Sequence, residues 1–84
     1  MKRVELYGAQ LTTKDAMHDA LTSALELPEW YGRNLDALHD CLTELRDVEL
    51  VLVGWPDEGY PARVRRVILD AVWENEHLSL KIVD

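Results

Sequence analysis

The chain has 84 residues, sixteen acidic against nine basic, and a formal net charge of −7. That length suits one domain over residues 1–84 with a core of its own, and that charge argues against a nucleic-acid ligand and for a basic partner. No apolar run approaches the roughly 18 residues of a membrane helix, and no leader-like segment opens the chain, so a cytoplasmic protein with no membrane partner is expected.

Arg3 to Tyr7 alternates charged and apolar residues, with Val4 and Leu6 pointing one way, which predicts a short edge strand ended by Gly8. Thr12 or Thr13 then caps a first helix, and Asp15 sits favourably in its first turn. Ala16, Met17, Ala20, Leu21, Ala24 and Leu25 form its apolar stripe. His18 falls just off that stripe and is expected at the surface. Pro28 closes this region, because it disfavours helical geometry at Leu27.

A turn carrying Trp30, Tyr31 and Gly32 leads to Asn34, a good N-cap for a second helix, with Gly32 easing the change of direction. Leu35, Leu38, Cys41, Leu42 and Leu45 recur at the spacing of one buried face. Cys41 is the only cysteine, so no internal disulfide is possible, and among leucines it reads as a small buried hydrophobe. Asp36, His39, Asp40, Thr43 and Asp47 occupy another face. Glu49 to Val53 holds four consecutive apolar residues, as expected of a central strand. Gly54, Pro56, Gly59 and Pro61 mark a loop carrying Trp55 and Tyr60.

A third helix follows from Pro61 to about Asn75, with Val64, Val67, Ile68, Ala71 and Val72 inward and Arg63, Arg66, Asp70 and Glu74 outward. Trp73 fits either core or rim and is expected in the core. Leu78, Leu80 and Ile82 alternate with Ser79 and Lys81 to give a third strand with one buried face. Strands separated by helices demand parallel pairing. The fold expected is therefore α/β, a three-stranded parallel sheet with the apolar strand at its centre, packed on helices.

The charge is unevenly spread. From Glu26 to Glu49 seven carboxylates face two arginines, which places five of the seven excess negative charges there. Charged helix faces are commonly just solvated surface. Here, however, Asp36 and Asp40 are like charges one turn apart, an arrangement that weakens an isolated helix. Trp30 and Tyr31 stand beside them on a turn, where large aromatics are either core or anchors for a partner.

The run LPEWYGRNLDALHDCLTEL, Leu27 to Leu45, resembles the barstar family of intracellular ribonuclease inhibitors without a gap, and a weaker match covers most of the chain. The resemblance implies strand order 1-2-3 and a function: turn and helix plug the active site of a basic, secreted ribonuclease of the barnase kind, an aspartate taking the place of a substrate phosphate. Carried over, Asp40 falls at the phosphate-mimicking position. Trp30, Asp36 and Thr43 fall at gripping positions, and Asp70 at or beside an acidic contact of the last helix. Tyr31, Gly32, Asn34 and His39 complete the candidate surface. Two positions depart from the pattern: His39 stands where the family more often has tryptophan, and Leu45 near another aromatic contact of barstar. Asp36 and Asp40 would favour the protonated form of His39.

A cationic cleft built for phosphates can be filled by carboxylates fixed on a helix, with no bond offered for cleavage. The expectation is an inhibitor or immunity protein, monomeric when free, without cofactor or metal. One alternative keeps the fold and replaces the ribonuclease with another basic toxin or protein. A hydrolase using His39 with Asp36 or Asp40 is the rival from another class. It lacks a second nearby histidine, a glycine-rich phosphate loop and paired cysteines.

Overall fold

Apolar residues alternating along β1 (Lys2–Tyr7) and β3 (Leu78–Val83), and running on through β2 (Val48–Val53), pair in parallel in the order β1-β2-β3. These assignments come from a computed structural model that describes residues 1–83. The register places Val4, Leu50 and Leu80 in one row and Leu6, Leu52 and Ile82 in another on the same face. Helices α1 (Lys14–Leu25), α2 (Leu35–Thr43) and α3 (Gly59–Glu74) supply the crossovers. Crossovers of one hand stepping the same way across a sheet put their helices on one side. The buried cluster agrees: it joins Met17, Leu21, Leu38, Leu42, Val64 and Ile68 to Val4, Leu6, Leu50 and Leu52.

Among the described residues the other sheet face carries no helix. There Val51, 1% exposed, lies between Glu5 and Lys81 on its two neighbours, whose aliphatic stems can shield it while their charges stay in water.

Local signals hold at the helix starts. Thr13 caps α1 by accepting from the Ala16 amide at 3.1 Å, and Asn34 caps α2 by accepting from Ala37 at 2.8 Å. α3 begins at Gly59, so Pro61 lies in its first turn, where its missing N–H leaves no bond unmade. Tyr60 is therefore helical rather than part of the loop. Trp55 does lie in the loop, buried, its indole N–H donating to the Pro61 carbonyl at 2.7 Å.

Three further expectations are corrected. His18 is buried, 1% exposed, because two tyrosines satisfy its ring. Trp73 is 90% exposed; the buried positions Val64, Ile68 and Ala71 define the inward side of α3, and Trp73 lies nearly opposite it at 100° per residue. Along β3, Leu78 is buried but Ile82 is exposed, since an edge strand has helical cover from one side only and loses it toward its end.

At Gly8, where β1 meets the loop after β2, an added Cβ would stand 2.6 Å from Pro56 Cδ, 2.8 Å from Trp55 Cα and 3.0 Å from the Gly54 carbonyl. Two of those neighbours are backbone and cannot swing aside. Gly8→Ala should then cost on the order of 1 to 3 kcal/mol through overpacking. Urea unfolding of the variant checks this, and an unchanged midpoint would show that the loop yields freely.

Candidate functional site

Helix α2 has only nine residues, too few for stability alone in water. It is held from both ends. Asn34 caps the first turn, and buried Asn75, from the turn after α3, donates to the Leu42 carbonyl at 3.0 Å and the Leu45 carbonyl at 2.8 Å. Asn75 Oδ1 accepts in turn from the His77 amide at 3.0 Å, which leaves this buried amide fully bonded. Leu38, Cys41 and Leu42 point into the core, with Leu35 and Leu45 packed at its edge. Burial pushes the Cys41 thiol pKa up, with Glu44 and Asp40 acting in the same direction, so this sulfur stays protonated.

The outward face carries Asp36, His39, Asp40 and Thr43. Asp36 is exposed and makes no ion pair among the described residues. Asp40, its side chain 77% exposed, has only a loose approach of 3.9 Å to His39 Nδ1. The Thr43 hydroxyl donates back to the Asp40 carbonyl at 2.8 Å. The stronger partner of His39 lies on α3: its Nε2 meets Glu74 Oε2 at 2.5 Å. That bond raises the His39 pKa; partial burial opposes it, and the charges of Glu74, Asp40 and Asp70 reinforce it. Glu74 thus takes the part expected of Asp36. Asp70 is exposed and pairs with Arg66 at 3.5 Å.

The preceding turn splits its two aromatics. Trp30 is 68% exposed and walls a small cleft with Leu27, Pro28, Cys41 and Leu45. Tyr31 is buried in the core, so it supports the face from beneath rather than presenting its ring. The turn's left-handed residue is Arg33, φ 55°, not Gly32. Its guanidinium donates to Asp19 Oδ1 at 2.7 Å, tying the strained residue to α1. Gly32 matters for space instead: a Cβ there would crowd the capping amide of Asn34 at 3.1 Å.

Under the turn lies a polar cluster with no periodic trace in the sequence. His18 Nδ1 is 2.5 Å from the Tyr31 hydroxyl, and Nε2 is 2.6 Å from that of Tyr60. A neutral imidazole satisfies both, one nitrogen donating and the other accepting. Burial lowers the His18 pKa, with Arg33 and Lys14 adding to it against Asp15 and Asp19. Burial likewise pushes Tyr31 up to about 12 and raises Tyr60.

A histidine whose folded pKa lies below its unfolded value of 6.5 gives stability that is present above that value and lost as pH falls toward the folded pKa. His39, its pKa raised, works the opposite way: its contribution is present below 6.5 and is lost as pH rises through its folded value. Unfolding free energies between pH 7.5 and 5 should therefore decline with acid more steeply in the natural protein than in His18→Gln. Parallel declines would mean that His18 is not the titrating group.

No group of three or more potential metal ligands occurs among the described residues, and no helix there is long and apolar enough to cross a membrane. The family model described as "Barstar (barnase inhibitor)" matches residues 1–83. A Bacillus subtilis (strain 168) protein named "Putative ribonuclease inhibitor YrdF" is 43% identical over 53 residues, 63% of this chain and 58% of that relative's length. With the parallel 1-2-3 sheet and an N-capped helix presenting Asp36 and Asp40, this match over nearly every residue places the chain in the barstar family.

Proposed function

We propose that the protein inhibits a basic, secreted ribonuclease of the barnase kind by filling its phosphate-binding cleft with α2 and the turn before it. One observation carries this reading: Asp36 and Asp40 stand exposed on a helix pinned at both ends, with no cation among the described residues firmly bound to either. Asp40 is the substitute for a substrate phosphate, a carboxylate able to accept paired bonds from arginine. Asp36 and Thr43 flank it on the helix, Trp30 offers an exposed ring beside it, and Asp70 extends the negative surface onto α3. Inhibition is by occupancy, with no chemistry of the inhibitor's own. In this reading the protein acts in the cytoplasm of the producing cell and protects its RNA.

Titration into a steady-state assay of barnase tests the proposal. Activity should fall in proportion to inhibitor added, reach zero near one equivalent, and recover as salt screens the attraction. Undiminished hydrolysis at excess inhibitor, for barnase and for a panel of similar basic ribonucleases, would falsify it. A second reading, a different basic protein as target, draws on His39: its bond to Glu74 gives this face a shape unlike that with the family's usual tryptophan.

A further inference from the structure

Trp73 is the most exposed large apolar side chain among the described residues, and Leu69, one turn earlier, is 39% exposed. Single exposed apolar residues are ordinary. These two, however, line one open groove with Val72 where α3 turns toward β3, and Glu74 and Glu76 belong to the same groove. The nearby cations are engaged. Arg66 pairs with Asp70 at 3.5 Å, and Arg46 donates to His77 Nε2 at 3.2 Å. His77 in turn lies 3.7 Å from Asp47 and 4.0 Å from Glu76. An indole face bordered by carboxylates attracts lysine or arginine, and tryptophan is prominent among residues that anchor protein interfaces.

We infer that this groove receives a lysine or arginine side chain from the same basic protein that α2 engages, outside that partner's active site; the inference rests on the function proposed above. Continuity selects this occupant. Glu74 lines the groove and also holds His39 of α2, so the two surfaces share a residue and meet without a gap. Charge selects it as well. A second copy of this chain, at net charge −7, would bring carboxylates against carboxylates.

The test compares the natural protein, Trp73→Ala and Asp40→Ala for binding to barnase by calorimetry, with thermal melts as a check on folding. Trp73→Ala should melt like the natural protein and bind about 3- to 30-fold more weakly. In the complex, the indole N–H resonance identified by its loss in Trp73→Ala should shift. Full affinity in Trp73→Ala beside a large loss in Asp40→Ala overturns the groove contact and leaves the proposed function standing. No binding by the natural protein to barnase or to any of the panel of similar basic ribonucleases overturns both. Sedimentation showing a dimer that Trp73→Ala dissociates assigns the groove to a second copy and also overturns the inference.

Discussion

Asp40→Ala should weaken the complex with a basic ribonuclease by about 2 to 5 kcal/mol, or roughly 30-fold to several thousandfold in Kd, a range that rests partly on barnase and barstar themselves. The size follows from what the proposed complex would leave behind: partner arginines enclosing the carboxylate would stay desolvated and lose their counter-charge. In the free protein the same substitution should be nearly silent, because the Asp40 side chain is mostly in water and bonded to nothing strongly. Glu44→Ala, just past the end of the helix and at the edge of the Trp30 cleft, is the control for net charge. Equal losses in the two variants would mean that general negative charge, not a phosphate substitute, drives binding.

The second large effect runs the other way. Leu38 and Leu42 are wholly buried, so truncating either to alanine removes apolar contacts and leaves a cavity costing on the order of 2 to 5 kcal/mol. For a domain of this size that lowers Tm by about 8 °C or more. Asp36→Ala, on the exposed face of the same helix, should leave Tm almost unchanged, or raise it slightly by relieving repulsion with Asp40. Calorimetric melts of the three variants test the division. Should Asp36→Ala melt as early as Leu38→Ala, the helix would have to be turned about its axis.

Periodicity made most of the fold legible. The stripe from Leu35 to Leu45, the alternation in β1 and the apolar run of β2 each follow from a buried face repeating at the period of its own element. Capping is legible at Asn34, and at Thr12 or Thr13 with the structure selecting Thr13, because such bonds span three residues. Trp73 is an exception of another kind: the spacing of Val64, Ile68 and Ala71 itself puts it on the outside.

His18 and Asn75 were beyond such reasoning. Their burial depends on partners 13, 42, 33 and 30 residues away, and only the folded chain brings those together. The same holds at the candidate site. Asp36, Asp40 and Thr43 lie on one helix and are legible from its spacing, whereas Glu74, whose bond raises the His39 pKa, arrives from another.

Under the proposed function, the clamp on α2 has a kinetic consequence. A helix whose Ala37 amide is bonded by Asn34, and whose Leu42 carbonyl is bonded by Asn75 together with that of Leu45 just beyond its end, has less motion left to lose when it docks. Encounter is set by long-range attraction between opposite charges. What rigidity adds is residence time, since the seated helix cannot fray its way out one contact at a time. Under the proposed function Asn75 would touch no partner, yet it would lengthen the time the partner stays.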